Sequence, residues 1–399
     1  MAKSLYICYF GVREPLVRTQ VIAYLRELQT DGHEIHLLTF EPVALTDTGE
    51  TEVREQLGEI KWHWLRYHRR PSAPATLYDV FNGARFVAKL LKRHRFEILH
   101  ARIHVPMMMA AIARKLSPHK SKILFDIRGF FPEEYTDAGV WPANGLLYRT
   151  TKRVERWLMN EADAFVVLTE RAREILFPES EASGADHRQR PVEVIPCCVD
   201  TERFEQAAKR DIGSGDRFVL AYVGSFGGWY LTDEMFEFFR VARLVDPSVF
   251  AMILTQRQPE RAVVGLRACG YGDGDFLIKS VPPGEIAEYL GSAKAGISFI
   301  KNSYSKQASS PTKNAEYLAS GLPLVANIGI GDVDELIATD GVGVLIERLD
   351  ADGYRAGFEK LRGLGDIAER CRASARERFD LTTVGGERYR RMYRRLMGS

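Results

Sequence analysis

The sequence contains none of the short motifs that mark several large enzyme classes. It has no GxSxG element, no HExxH pair and no GxxxxGK[ST] loop. These absences disfavour serine hydrolases with a nucleophile elbow, HExxH zinc metalloproteases and P-loop NTPases. Cysteine is also scarce, with five residues, Cys197 and Cys198 adjacent and no CxxC pair. The sequence therefore predicts a reducing, cytoplasmic setting without a disulfide framework or a cysteine zinc site.

Long apolar runs are absent as well. The opening segment, MAKSLYICYFGV, has one lysine, a short apolar run and no small-residue cleavage site. This pattern favours a buried first strand over a signal peptide. No other run approaches the length that spans a bilayer, so any membrane contact is expected to be peripheral.

Negative charge is almost missing between residues 61 and 122. This stretch has 14 lysines or arginines against only Asp79 and Glu97, a net charge of +12 in a chain whose net charge is +2. Solvated helix faces are one explanation. An imbalance of this size favours contact with anionic lipid or a phosphorylated acceptor. No nucleic-acid-binding motif accompanies the charge, so no nucleic-acid partner is predicted.

The 399-residue chain alternates short apolar strands with amphipathic helices, and this pattern occurs twice. The first set of predicted strands comprises residues 4–10, 34–40, 96–101, 122–127, 164–169 and 192–196. The second set comprises residues 217–225, 250–255, 275–280, 295–300, 323–327 and 341–346. We therefore predict an α/β protein with two doubly wound, parallel-sheet, Rossmann-like domains.

The boundary between the domains is placed after IPCCVD, near residue 200, because residues 205–216 have the polar composition of a linker. The predicted domains are residues 1–200 and 201–379, with a helical segment at 380–399. In doubly wound sheets ligands bind outside the carboxyl ends of the strands, so the loops there are expected to contain the functional residues.

The run SSPTKNAEYLASGLPL, residues 309–324, predicts a short helix with an unusual first turn. Ser310 is the expected N-cap and Pro311 the expected first helical residue. Lys313 then lies in the first turn, where the helix dipole disfavours a cation unless an anion binds the N–H groups. Glu316 lies on the same face as Lys313. An exposed lysine in a salt bridge with this glutamate is the alternative.

Three further loops contain candidate residues. In YVGSFGGWY, residues 222–230, the glycines allow close approach to a phosphate or simply form a tight turn. In DIRGFFPEE, Asp126 and Arg128 share one strand face, as site residues or as a buried structural pair. The first strand-to-helix loop, FGVREPLVRTQ, is either a plain connector or a ligand contact.

Together these segments resemble bacterial glycosyltransferases of the GT-B fold, family four. The segments occur in order over nearly the whole chain: FGVREPLVRTQ, DIRGFFPEE, EADAFVVLTE, IPCCVDTERF, YVGSFGGWYL, SSPTKNAEYLASGLPLVAN and GIGDVDEL. The resemblance implies two Rossmann-like domains facing a central cleft. It places the nucleotide-sugar donor on the second domain and the acceptor on the first, and it brings segment 380–399 back to the first domain.

The resemblance also implies the site residues and the chemistry. Sugar transfer would proceed with retention of configuration, without a metal or cofactor. The implied catalytic residues are Lys313, Arg128 and Asp126. The implied donor-binding residues are Gly224, Ser225, Gly227, Lys306, Ser309, Ser310, Thr312, Lys313 and Glu316. The implied acceptor-binding residues are Gly11, Arg13, Glu14, Glu133 and Glu134.

The sequence departs from the family pattern at several positions. Ala308 replaces the first of two glutamates that are separated by seven residues, and Glu316 matches the second. Ser225 and Tyr230 fall where many members have an arginine and a lysine. Lys306 and Lys313 are therefore the expected phosphate ligands. A nucleotide-sugar epimerase, a phosphorylase and a non-catalytic sugar-nucleotide-binding protein remain alternatives. A glycan or lipid-linked acceptor suits the basic first domain, and a small-molecule acceptor is the alternative. Polysaccharide or other glycoconjugate biosynthesis is the expected process.

Overall fold

The computed structural model describes residues 2–44, 46–181 and 183–398. The chain divides into two compact units, one of Met1–Pro196 with Thr382–Ser399 and one of Cys197–Leu381. The first boundary therefore lies inside IPCCVD, whereas the sequence analysis placed it just after this segment. Within the described residues, no helix has the length and apolar character needed to cross a bilayer.

The first unit is a seven-stranded parallel sheet with helices on its faces. Its strands are β1 Lys3–Ile7, β2 Glu34–Glu41, β3 Lys61–Arg66, β4 Ile98–Arg102, β5 Lys122–Asp126, β6 Ala164–Val167 and β7 Val192–Val194. Its first eight helices are α1 Pro15–Val17, α2 Ala23–Thr30, α3 Asp47–Leu57, α4 Ser72–His94, α5 His104–Leu116, α6 Phe131–Asp137, α7 Leu146–Glu161 and α8 Glu170–Leu176. A π-helical turn, Arg18–Ile22, joins α1 to α2. The strand order is β3-β2-β1-β4-β5-β6-β7.

The second unit repeats this architecture with six parallel strands. Its strands are β8 Val219–Val223, β9 Phe250–Leu254, β10 Phe276–Lys279, β11 Ala295–Ser298, β12 Leu324–Asn327 and β13 Gly343–Ile346. Its helices are α9 Thr201–Glu205, α10 Thr232–Val245, α11 Pro259–Ala268, α12 Ile286–Leu290, α13 Thr312–Ala319, α14 Val333–Asp340, α15 Ala351–Gly363 and α16 Ala368–Phe379. The strand order is β10-β9-β8-β11-β12-β13. The predicted α/β class with two Rossmann-like parallel-sheet domains is confirmed.

Central strands are buried on both faces, as their apolar sequences predict. Every residue of β4, β8 and β9 is buried. Since β8 and β11 are neighbours in the second sheet, the loops that follow them meet at one edge. One of these loops is the glycine loop, and the other leads through a 3₁₀ turn, Tyr304–Ala308, into α13.

The C-terminal helix α17, Glu387–Met397, packs on the first unit. Its apolar face buries Tyr389 and Tyr393, and its arginines pair with α2, as between Arg390 and Glu27 at 3.0 Å. The Tyr389 hydroxyl donates to Oδ2 of Asp126 at 3.2 Å. The last helix therefore supports the carboxyl end of β5, where predicted site residues lie.

Candidate active site

Lys313 occupies the first turn of α13 and is almost fully buried. Its side chain is 7% exposed, with Nζ 4.3 Å from the centroid of the Tyr222 ring and 4.1 Å from that of Tyr230. Among the described residues, none accepts a hydrogen bond from Nζ. Burying an ammonium group without an acceptor is unfavourable, so this position calls for an anion or for loss of the proton.

The surroundings of Lys313 lower the pKa of its ammonium group. Burial lowers the pKa of Lys313 to about 7, although the carboxylate of Glu316 acts in the opposite direction. The two tyrosine rings attract the charged form through their π faces and hold Nζ in place. An anion bound against Nζ would favour the protonated form and raise the pKa again.

The glycine loop approaches Lys313 closely. A Cβ atom on Gly224 would lie 3.0 Å from Lys313 Nζ, and the φ of Gly224 is +143°, so any other residue would be strained. The Ser225 carbonyl accepts a hydrogen bond from the Tyr222 hydroxyl at 2.6 Å, and Gly227 also has a positive φ, +73°. The structure thus brings Gly224 against Lys313, with Ser225 and Gly227 in the same turn.

The beginning of α13 differs from the prediction. Ser310 is not the N-cap, because the helix begins at Thr312 after Pro311, and no side chain of the described residues caps it. The Ser310 hydroxyl instead accepts a hydrogen bond from the Cys197 N–H at 3.1 Å. A helix start without a side-chain cap is a suitable anion site when a second feature, here the buried Lys313, points to a ligand.

Lys306 lies in the 3₁₀ turn before α13 and is also buried, with 6% exposed. Its Nζ is 3.9 Å from the centroid of the Trp229 ring. The loop of residues 222–230 therefore places an aromatic ring against each of the two predicted lysines. Ser309, which closes the 3₁₀ turn, donates its N–H to the Lys306 carbonyl at 3.1 Å.

Glu316 lies one turn after Lys313 and is partly exposed. Burial raises the pKa of its carboxyl group, while Arg203 and Lys313 lower it. Thr312, the first helical residue, is also partly exposed. Glu316 is thus close enough to Lys313 for each charge to affect the other, without a described ion pair between them.

Sequence analysis missed three polar residues around this site. Asn314 is 3% exposed, and neither atom of its amide has a hydrogen-bond partner among the described residues. Arg203 affects Glu316, and Arg261 Nη1 lies 3.6 Å from the position of a Cβ on Gly227. Arg261 lies in the segment after β9, the neighbour of β8. Because ligands bind beyond the carboxyl ends of such strands, Arg261 could have been predicted as a candidate from the sequence.

Asp126 and Arg128 form part of a buried charge cluster in the first unit. Arg128 Nη1 is 3.6 Å from Asp126 Oδ1, and Arg102 Nη1 is 3.7 Å from Asp126 Oδ2. Burial by itself would raise the pKa of Asp126, but Arg128, His100 and Arg102 lower it to about 2. This arrangement matches the structural pair that the sequence analysis left open.

The first loop of the chain is held by a buried glutamate. Glu41 Oε1 accepts the Val12 N–H at 2.9 Å, and a Cβ on Gly11 would lie 2.9 Å from Glu41 Oε2. Arg13 is exposed and donates to the Gly49 carbonyl at 3.3 Å, and Glu14 is exposed at the start of α1. A side chain at position 11 would therefore displace the Glu41 carboxylate, whereas Arg13 and Glu14 present their side chains to solvent.

Glu133 and Glu134 lie in the first turn of α6 and have different surroundings. Glu133 is buried, accepts a hydrogen bond from the Tyr148 hydroxyl at 3.0 Å and pairs with Lys152 at 3.0 Å. Glu134 is partly exposed and lies over the backbone of Gly129, 3.2 Å from the position of a Cβ there. Glu133 therefore joins α6 to α7, and Glu134 lies beside Gly129 with part of its side chain in solvent. An acceptor contact of either residue stays a prediction.

A family model matches the chain over most of the first unit. Residues 17–203 match the Glycosyltransferase Family 4 model. The match covers slightly less than half of the 399-residue chain, and the two parallel-sheet units have the GT-B fold of known glycosyltransferases. No curated protein matches the sequence.

Solved structures with this fold cover the chain over nearly its whole length. One is a glycosyltransferase from Rickettsia africae, 14% identical, with a TM-score of 0.69 and coverage of 99% of this chain and 98% of that one. Another is a sucrose-phosphate synthase from Thermosynechococcus elongatus, 12% identical, with a TM-score of 0.70 and full coverage of both chains. Anabaena HepE in complex with UDP-glucose is 13% identical, with a TM-score of 0.65 and full coverage of both chains. At these identities the likeness shows the fold.

The family match and the lysine site lie in different units of the protein. The family model ends at residue 203, whereas Lys313, Lys306 and the glycine loop belong to the second unit. The hypothesis of a donor site at α13 is therefore based on the local geometry, namely a buried ammonium group beside a glycine turn and an uncapped helix start.

Proposed function

We propose that this protein is a glycosyltransferase that moves a sugar from a nucleotide-diphosphate donor to an acceptor with retention of configuration and without a metal. The observation that supports the proposal most directly is Lys313, a buried ammonium group without an acceptor in the first turn of α13. A donor diphosphate would supply the missing anion to this lysine and to the N–H groups of the helix start. Gly224 would allow the phosphates to approach.

In the proposed reaction, the leaving nucleotide diphosphate gains negative charge as the glycosidic bond breaks. Lys313 and the first turn of α13 are fixed donors directed at that charge, and fixed donors in a dry site stabilise it without reorganisation. Lys306, held against Trp229, would supply a second cation. Glu316 is suited to accept hydrogen bonds from the ribose hydroxyls of the nucleotide.

The donor class is tested by thermal stabilisation with UDP-, GDP-, ADP- and dTDP-sugars. UDP-glucose is a reasonable first ligand, because HepE, a protein of the same fold, was solved in complex with it. We expect one nucleotide class to raise the melting temperature of the wild-type protein and to do so far less for the Lys313→Ala variant. Stabilisation by none of the nucleotide sugars would contradict the proposal.

Sugar transfer needs an acceptor, whereas epimerisation of a nucleotide sugar does not, so reactions without an acceptor distinguish the two activities. Incubation with the stabilising nucleotide sugar should give no epimer in the absence of an acceptor, as judged by NMR of the sugar. Slow release of nucleotide and free sugar is compatible with transfer to water. Conversion to a second nucleotide sugar would instead identify an epimerase.

Donor binding should weaken as the pH rises above 7. Lys313 has a pKa of about 7 in the empty protein, and a bound diphosphate favours its charged form. Binding therefore takes up a proton above pH 7, and the affinity for UDP should fall by up to about tenfold per pH unit there. Calorimetric titration at several pH values, in buffers of different ionisation enthalpy, measures both effects. Lys313→Arg, which stays charged, should remove the pH dependence in this range.

We further propose that the acceptor is a glycan, a lipid-linked saccharide or a small molecule, in polysaccharide or other glycoconjugate biosynthesis. The proposed location is the cytoplasm, with peripheral contact at the inner face of the cell membrane through residues 61–122. The strong positive charge of this stretch supports that contact. An acceptor screen with radiolabelled donor would identify the product class.

A further inference from the structure

The first unit exposes an unusual number of large apolar side chains at the beginning of two helices. On α4, Leu77, Tyr78 and Phe81 are 54%, 58% and 60% exposed. Around the start of α7, Val140, Leu146 and Leu147 are 62%, 79% and 56% exposed. Single exposed apolar residues are common, but such groups in a soluble chain indicate an interaction surface.

The two groups lie on one side of the first unit. Helix α5 packs against both α4 and α7, and both helices begin after strands that end at the same edge of the sheet. Tyr67, which precedes α4, is close enough to Tyr135 of α6 to raise the pKa of Tyr135, after the larger effect of burial. Tyr135 in turn stacks on Trp141, with ring centroids 4.3 Å apart, directly beside Val140. The α4 group and the α6–α7 segment are therefore neighbours.

Exposed cations follow the apolar residues along both helices. Arg85, Lys89 and Lys92 continue the exposed stripe of α4 that begins with Tyr78 and Phe81, at a spacing that keeps them on one face. On α7 the corresponding exposed cations after Leu146 are Arg149, Arg153 and Arg156. Within the described residues, none of these six cations is in an ion pair with an aspartate or glutamate. Among the residues that the structure describes, no acidic side chain neutralises these cations within their own helix.

We propose that this surface, formed by the exposed faces of α4, α6 and α7, binds the interface of an anionic lipid bilayer. The apolar side chains at the helix starts would enter the acyl boundary, and the six unpaired cations would contact the lipid phosphates. Tyrosine and tryptophan at the border between the two regions suit the headgroup level. The proposal extends the membrane contact suggested for residues 61–122 to residues 135–156, which the sequence analysis did not identify.

Charge complementarity favours a lipid surface over a protein partner. The six cations are spread along two helices rather than concentrated in one pocket, which fits a continuous layer of phosphates. The apolar residues are at one end of each helix, so that a single plane can contact the apolar ends and the adjacent cations together. Glycosyl transfer is not needed for this binding, so the vesicle experiment can fail or succeed independently of the proposed reaction.

The test is co-sedimentation of the full chain with vesicles of phosphatidylcholine alone and of phosphatidylcholine mixed with phosphatidylglycerol. We expect binding to the anionic vesicles, loss of binding at high salt, and little binding to neutral vesicles. The double variant Leu146→Ser/Leu147→Ser and the triple variant Arg85→Gln/Lys89→Gln/Lys92→Gln should each lower the affinity at least tenfold.

The matched control is Leu244→Ser/Val264→Ser in the second unit. Leu244 and Val264 are 62% and 69% exposed but lie outside the proposed surface, so their replacement should leave vesicle binding unchanged. Circular dichroism should show that all variants are folded. Failure of the wild-type chain to bind anionic vesicles would overturn the proposal, as would an equal loss in the control variant.

Two other ligands of the surface, a free phosphate compound and a second copy of the chain, would give different results. If soluble glycerol phosphate abolishes vesicle binding at low concentration, the cations recognise a free phosphate compound and the lipid proposal is wrong. If light scattering shows a dimer that Leu146→Ser/Leu147→Ser converts to a monomer, and vesicles do not bind, the surface joins two copies of the chain.

Discussion

Lys313→Ala should abolish sugar transfer while leaving the fold intact. The variant loses the ammonium group proposed to neutralise the leaving diphosphate, and removal of one such donor typically lowers kcat by about 10²–10³-fold. Unlike most buried substitutions, this one should not lower the melting temperature strongly, because the ammonium group has no hydrogen-bond acceptor among the described residues. Lys313→Met, which keeps the volume of the aliphatic chain, should raise the melting temperature of the empty protein.

The effect of Lys313 on the free energy of unfolding depends on pH, because the pKa of its ammonium group differs between the folded and the unfolded chain. The pKa of Lys313 falls from 10.5 to about 7 on burial, so the unfolded chain binds the proton more tightly than the folded one. The native lysine therefore destabilises the empty protein progressively as the pH falls from about 10.5 towards 7, and fully below 7. Differential scanning fluorimetry of Lys313→Met against wild type should show a gain below pH 7 that shrinks as the pH rises.

Lys301→Ala is the matched control for the activity measurement. Lys301 lies after β11 in the same segment of the chain but is exposed, and its replacement should leave kcat and the melting temperature nearly unchanged. Near-wild-type transfer by Lys313→Ala would remove the main support for a donor site at α13. Loss of activity together with a collapse of the fold would assign Lys313 a structural role instead.

A candidate site could be predicted from the sequence where a residue type occurred at an unusual position in a helix. Lys313 in the first turn of a helix contradicts the dipole preference, and from that conflict the sequence predicts a bound anion, which stays a prediction. The apolar strands were likewise predictable, because parallel strands buried on both faces leave little room for polar residues. The strand β3, Lys61–Arg66, was missed, because it is an edge strand in which polar and aromatic residues replace the apolar run.

Contacts between distant segments could not be derived from spacing. Ser310 has the identity of an N-cap, but its hydroxyl accepts a hydrogen bond from Cys197, over a hundred positions earlier. The rings of Tyr222 and Tyr230 around Lys313 depend on the pairing of β8 with β11, which only the sheet order reveals. In the sequence, Ser310, Tyr222 and Tyr230 resemble ordinary cap and core residues. Their roles follow from contacts that only the three-dimensional structure shows.

Asp126→Asn should destabilise the first unit by about 3–5 kcal/mol, the usual cost of removing one partner from a buried charge cluster. Asp126 is fully buried, and its carboxylate faces the guanidinium groups of Arg102 and Arg128 at 3.7 and 3.6 Å. The neutral amide would leave both cations without their counterion. Urea unfolding followed by fluorescence should show a lower midpoint than wild type. The control Glu174→Gln, which removes the ion pairs of an exposed glutamate with Arg171 and Arg173, should change the free energy of unfolding by less than about 1 kcal/mol.

The pH dependence of the unfolding midpoint distinguishes this structural role of Asp126 from a catalytic one. Its pKa falls from 3.8 in the unfolded chain to about 2 in the folded protein, so the carboxylate stabilises the native state fully above pH 3.8, and this contribution is lost as the pH falls through about 2. The wild-type midpoint should therefore decline in this window, and the part of the decline due to Asp126 should be missing from Asp126→Asn. A variant with unchanged stability and a large loss of kcat would show instead that the carboxylate takes part in transfer, as the family resemblance implied.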